Sequence, residues 1–187
     1  LIFLWFFVYI NLRGLQLYER TLIPLMFLMF VLGSIVIVAG FSFDHNDFAS
    51  AVSPPLLGKA EKIPLTMNLL LPASAVLFST FIGFDSIAQA GGEAKNPSRN
   101  IPLATGIAVV TVGSFYILFT SAVYHAVPWN YIAENAQFRD LTAPGLLGVL
   151  LSPAWTVAIV SGALVALIND LPAMLLAVSR LMFAWSE

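Results

Sequence analysis

The stretch "FIGFDSIAQAGGEAKNPSRNIP" at residues 81–102 decides how this chain is read. Asp85 stands inside an apolar run. Ten residues later the chain turns charged at Lys95, and Pro97 and Pro102 close the segment. A carboxylate at the centre of a membrane helix costs on the order of 3 kcal/mol on insertion scales. A sequence that keeps one there needs a reason, and the flanking composition shows that the membrane is the right setting.

The 187 residues are 59% hydrophobic and 10% charged, with a mean hydropathy of +0.91. Soluble domains carry roughly 25% charged residues. A spanning helix needs about 20 apolar residues. Runs over about 21–41, 65–91, 102–128 and 154–180 meet that need, and a partial run covers about 1–12. The runs are continuous, without the alternation of a β-barrel, so they predict helices. The fold class is therefore all-α integral membrane. Residues 1–187 are read as part of a single transmembrane domain. The chain opens on Leu1 inside an apolar run, so a piece of a longer protein is expected, its first visible helix cut short. A net charge of -2, no basic patch and no glycine-rich phosphate loop give no reason to expect nucleic acid or a cofactor. Without cysteine there is no disulfide or thiol chemistry, and no metal-ligand cluster is visible.

Lys and Arg bias the orientation. Arg13, Arg20, Lys95, Arg99 and Arg180 fall on one side, and Lys59, Lys62 and Arg139 on the other. The first side is expected to be cytoplasmic. Asp85 and Asp170 each lie ten positions before a basic residue on that side. At about 1.5 Å rise per residue, both sit roughly 15 Å inward, near the midplane of a core about 30 Å thick. Acids at that depth mark ion, proton or substrate pathways. The alternative for each is a protonated carboxyl that only hydrogen-bonds a neighbouring helix.

The surroundings of Asp85 favour the pathway. Gly83 and the small polar pair Ser79 and Thr80 flank Asp85, and Gly83 with the earlier Pro72 weakens the helix ladder. A broken helix is tolerated at membrane depth where it lines a cavity, and its freed backbone groups can bind a charged ligand. Near Asp170, Pro172 lacks an N–H, so the Ile168 carbonyl loses its helical partner. Asn169, Asp170 and that carbonyl would make a small oxygen-rich pocket suited to a cation or a proton. In the loop, Pro97 biases Asn96 away from the helical region. Asn100 is the expected N-cap of the next helix, with Pro102 early in it. His45 and His125 fall near the other-side loops and are expected as surface residues.

These residues resemble the sixth-helix signature of amino acid–polyamine–organocation permeases. That signature has a Phe-x-Gly-[Phe/Val]-[Asp/Glu] core, followed by Glu-x-Lys-Asn-Pro-x-Arg-x-[Ile/Val/Leu]-Pro. "NLRGLQLYER" is similar to the family's loop between helices four and five. The Ala-Pro-Gly stretch at Pro144 is similar to its helical loop after helix seven, and "LLAVSRLMFAWSE" to the end of helix eight. The resemblance covers the whole chain as helices four (partial) to eight of about twelve. It implies a LeuT-type fold of inverted repeats, here partial, with the sixth helix unwound near Ser79 to Asp85. It further implies that Phe78, Ser79, Phe81 and Gly83 line the substrate and that Asp85 serves gating or coupling, with Asn169 and Asp170 as coupling candidates. Where some proton-coupled members carry a lysine, this chain has Met29; where sodium-coupled relatives offer hydroxyls, it has Asp170.

The expected function is secondary active transport of an amino acid or related amine by alternating access, in the cell (plasma) membrane as a multi-pass protein. The partners are a small-molecule substrate, the lipid bilayer, and a proton or sodium ion, or else substrate exchange. A transporter-derived sensor or channel is the alternative. A membrane enzyme using Asp85 and Asp170 as an acid pair stands behind both, because no nucleophile or metal set accompanies them.

Overall fold

A chain in hydrocarbon must satisfy its backbone internally, which makes apolar runs of this length helical. The computed structural model describes residues 2–13, 15–52, 66–80, 87, 94–136 and 141–186, and among these no strand occurs. In chain order the helices are α1 (Ile2–Leu12), α2 (Leu15–Ser42), α3 (His45–Ala51), α4 (Met67–Ser79), α5 (Pro97–Ala126), α6 (Trp129–Asn135), α7 (Ala143–Leu147) and α8 (Pro153–Ser186). Leu17–Ser42, Pro97–Ala126 and Pro153–Met182 are long and apolar enough to cross a membrane. At about 1.5 Å per residue each exceeds the roughly 30 Å of hydrocarbon. The protein is an all-α membrane protein.

Two local features refine the sequence reading. The run over 65–91 contains α4, only 13 residues long. Phe81, Gly83 and Asp85, which follow it, lie outside the described residues. The N-terminus of α5 departs from expectation. The helix starts at Pro97 rather than after Asn100. Pro97 has the fixed φ of a first helical position, and Asn96 before it sits at φ 49. The Asn96 carbonyl accepts from the backbone N–H groups of Arg99 and Asn100 at 3.1 and 3.0 Å. Asn100 is thus inside the helix, and its side-chain amide turns back to the Lys95 carbonyl. Pro102 is also interior, so the Ser98 carbonyl forgoes one helical bond.

The chain divides into two compact units. The first comprises residues 1–21, 63–114 and 168–187, the second residues 22–62 and 115–167. The second unit holds a buried cluster that includes Val36, Phe48, Val127, Tyr131, Leu147 and Ile159. It joins the long helices to α3, α6 and α7. Phe48 and Tyr131 meet edge to face with centroids 4.9 Å apart. Thr142 caps α7, its hydroxyl accepting from the Gly145 N–H at 3.3 Å.

Helix association in lipid has no hydrophobic drive, so close packing depends on small residues. In the second unit α2 and α5 show this. A Cβ at Gly33 would lie 2.6 Å from Phe115 Cζ. Seven residues further along both helices, a Cβ at Gly40 would lie 2.5 Å from the Ala122 carbonyl oxygen. The constant offset means that the two helices run in the same direction. Phe30 closes on Phe115 at 5.1 Å, nearly perpendicular. Leu32 occupies the notch of Gly162 in α8 in the same way.

The first unit is built differently. Phe7 and Ile10 of α1 are buried, and Pro172 of α8 is fully so. Arg13, just after α1, lies over the Tyr9 ring at 5.0 Å. No residue of α4 is buried.

Candidate functional site

The final turn of α4 carries Phe78 and Ser79, the described members of the set expected to line the substrate. The last four carbonyls of a helix have no intrahelical N–H donor. Here two neighbouring hydroxyls turn toward carbonyls of that turn. Ser79 Oγ donates to the Val76 carbonyl at 2.6 Å, and Thr80 Oγ1 donates to that of Leu77, also at 2.6 Å. The Thr80 N–H bonds Leu77 at 3.1 Å, which tightens the end. The Ser79 hydroxyl oxygen, while donating to Val76, still has the acceptor capacity of a hydroxyl. The C-terminal end of a helix carries a partial negative charge and favours cations. Phe78, 71% exposed, projects from the same turn. This end thus offers hydroxyl oxygens, carbonyl oxygens and an aromatic face, which together suit an ammonium group with an apolar neighbour.

A second set lies on α8. The helix continues through Pro172, which has no N–H for the Ile168 carbonyl. Asn169 is half-buried, and its Oδ1 is buried with no hydrogen-bond partner among the described residues. A buried acceptor left unpaired costs about 1–3 kcal/mol. Asp170 beside it is exposed. Pro172 therefore faces packed protein, Asp170 faces outward, and Asn169 lies at the edge between them. The Asn169 oxygen has no donor among the described residues and the Ile168 carbonyl lacks its usual helical one, an arrangement that a cation or a protonated group would complete.

Phe78 and Ser79 are adjacent on one turn, and so are Asn169 and Asp170. Both pairs belong to the first unit. Among the described residues no hydrogen bond joins one pair to the other. Phe81, Gly83 and Asp85 fall outside the described residues. The same unit carries an apolar groove of about 420 Å³ along α5, lined by Pro102, Leu103, Gly106, Ile107, Val110 and Thr111. Sequence reasoning did not mark this groove, because small and branched residues at these spacings read as an ordinary lipid-facing stripe. Among the described residues no group of three His, Cys, Asp or Glu side chains could hold a metal ion.

Comparison with known proteins gives this arrangement a context. Cationic amino acid transporter 4, vacuolar, from Arabidopsis thaliana is 34% identical over 125 residues, covering 66% of this chain and 20% of that protein. Cationic amino acid transporter 4 from Homo sapiens is 32% identical over 77 residues, 41% of this chain and 12% of that protein. An uncharacterised transporter of Mycobacterium tuberculosis is 36% identical over 110 residues, 52% of this chain and 23% of that protein. The chain thus spans only 12% to 23% of the length of these relatives. No solved structure matches it. The family model described as amino acid permease matches residues 1–187. With the apolar spans and the signature at 81–102, that full-length match makes this chain a member of the amino acid permease family, a family of transporters and not of enzymes.

Proposed function

We propose that this chain is part of a secondary transporter that carries amino acids or related amines across a membrane by alternating access. The observation that carries the reading is the match of the amino acid permease family over residues 1–187. Cationic amino acids are the favoured substrate class. Relatives named as cationic amino acid transporters support this, and so does the oxygen-rich C-terminal end of α4. The fold is of the LeuT type, with α4 as the first half of a broken helix. Phe78, Ser79, Phe81 and Gly83 line the substrate, and chain outside residues 1–187 supplies the other half of the site. Asp85 gates or couples, while Asn169 and Asp170 help hold a cation or proton. The membrane is the plasma membrane or, by analogy with relatives named vacuolar, an internal one.

The test is uptake of L-arginine into proteoliposomes of the full-length protein. Gly83→Leu is expected to abolish uptake while leaving insertion intact, because the side chain would fill a cavity that the backbone lines. Uptake equal to the parent's would sink the broken-helix site. Asp170→Asn is expected to lower the accumulation driven by an imposed proton or sodium gradient while substrate exchange persists. Asp85→Asn is expected to flatten the pH dependence of uptake. If both acid variants keep the parent's accumulation and pH profile, the two acids serve packing only.

A further inference from the structure

The contacts between α2 and α5 continue beyond Gly33 and Gly40 to their C-terminal ends, where two histidines meet helix termini. His125, one residue from the end of α5, places Nδ1 3.1 Å from the Phe43 carbonyl oxygen and 3.2 Å from that of Gly40. His45, the first residue of α3, places Nε2 3.0 Å from the Tyr124 carbonyl oxygen in the last turn of α5. A carbonyl oxygen can only accept, so each of these ring nitrogens carries its proton. The tautomers are thereby fixed: Nδ1–H in His125 and Nε2–H in His45. Neither bond is lost if a ring takes a second proton, because the donating N–H is present in both forms.

The geometry is reciprocal. The last carbonyls of a helix lack intrahelical donors. Gly40 lies in the last turn of α2 and Tyr124 in the last turn of α5. The histidine on each chain segment supplies an N–H to the other segment's terminus. Gly40 serves twice, since it gives a carbonyl to His125 and lets the α5 backbone approach where a Cβ would strike Ala122. The ring of Phe41 lies against that of His125 at 5.6 Å between centroids. All of these residues belong to the second unit.

We infer that His45 and His125 form a clasp that fixes the C-terminal ends of α2 and α5 to each other, so that the two helices keep one register while other parts of the permease move. The clasp stands on the hydrogen bonds alone, and the clause about movement rests on the alternating-access reading above.

The experiment uses the full-length permease with native cysteines outside residues 1–187 removed. Spin labels are placed on cysteines substituted for Ser42 and Ser121, both exposed, and the distance distribution is read by electron paramagnetic resonance. The parent is expected to give one narrow distribution, unchanged by saturating L-arginine. His45→Phe with His125→Phe removes both donors and is expected to broaden it roughly twofold, as helix ends without partners fray. His45→Gln with His125→Gln keeps N–H donors and is expected to stay closer to the parent. If the Phe pair does not fold, the comparison is made between His125→Phe and His125→Gln singly. A Phe variant with the parent's distribution overturns the clasp. A parent distribution that shifts with L-arginine overturns the fixed pair. Uptake is measured on the same samples, so a failure of the transport reading appears as absent uptake, while the substrate-free comparison of Phe and Gln variants still decides the clasp.

Discussion

The described glycines play opposite parts in the two units. In the second, Gly33, Gly40 and Gly162 each stand where a Cβ would collide with a neighbouring helix. In the first, a Cβ at Gly106 would meet nothing within 4 Å. The buried cluster around Phe48 and Leu147 belongs to the second unit, whereas α4 of the first buries no residue. The described candidate site residues Phe78, Ser79, Asn169 and Asp170 all belong to the first unit. The difference teaches where this chain spends its packing. Among the described residues, the second unit brings its helices into close contact through glycine, whereas the first leaves α4 with Phe78 and Ser79, and also Asp170, exposed.

The largest expected effect tests that contrast directly. Phe48 is fully buried and lies on α3, beyond the span that ends at Ser42, so ordinary transfer and cavity arguments apply to it. Phe48→Ala in the full-length protein is expected to cost about 3–5 kcal/mol. Phe78→Ala removes the same ring from an exposed position of α4 and is expected to change stability by about 0.5 kcal/mol or less. Thermal unfolding in detergent, followed by loss of the monodisperse peak, reads both. An equal loss for Phe78→Ala would break the contrast, and would mean that chain outside residues 1–187 packs on α4 as tightly as Tyr131 packs on Phe48.

A smaller effect is expected from the glycines. Gly40→Val drives branched carbons into the Ala122 backbone, and overpacking of this kind costs about 1–3 kcal/mol. The obstacle is a carbonyl in a helix, which cannot swing aside as a side-chain tip would. Gly106→Val adds carbons to an open face and is expected to be nearly neutral, with a small gain from better helix propensity in place of Gly. Should Gly106→Val destabilise as much as Gly40→Val, the groove along α5 is filled in the full-length protein, and the openness of the first unit would be a property of this segment alone.

The sequence made the spans legible because bilayer thickness and helix rise together fix a length that composition can reveal. The long apolar runs become α2, α5 and α8 for that reason. The family was legible for a different one: the Phe-x-Gly-Phe-Asp core and the Glu-x-Lys-Asn-Pro-x-Arg-x-Ile-Pro run at 81–102 match its signature position by position. The α5 start was misplaced by four residues, with Asn96 rather than Asn100 preceding the helix. Asn100 offered a capping side chain, but Pro97 with a left-handed Asn96 before it supplies the turn, and side-chain chemistry alone does not reveal which of two cap candidates the backbone takes. The pairing of His45 with Tyr124 and of His125 with Phe43 was not legible. It joins residues about 80 positions apart, and nothing in either local stretch encodes the other. Asn169 was legible as a polar residue beside Pro172, whereas its unpaired oxygen depends on how α8 packs.

The smallest effect concerns Asn96, and it asks whether the first unit depends on local backbone geometry where it lacks burial. Asn96 holds φ 49 in a non-glycine residue. A left-handed conformation costs an L-residue roughly 1–2 kcal/mol, and Asn is among the few that visit it routinely. Pro97 disfavours the right-handed helical region for the residue before it but favours extended backbone there, so the left-handed φ belongs to the turn itself. The turn then presents the Asn96 carbonyl to the N–H groups of Arg99 and Asn100, which starts α5. Asn96→Ala removes the tolerance for φ > 0 and is expected to cost about 1 kcal/mol. Asn96→Gly keeps that tolerance at no steric cost and is expected to lie within a few tenths of the parent. The measurement is the same unfolding assay, with hydrogen exchange at residues 97–102 as a local readout. The Ala variant should exchange faster there, and the Gly variant should not. If Ala and Gly behave alike, the left-handed turn does not set the start of α5, and the first unit draws on contacts from elsewhere in the permease even at its surface loop.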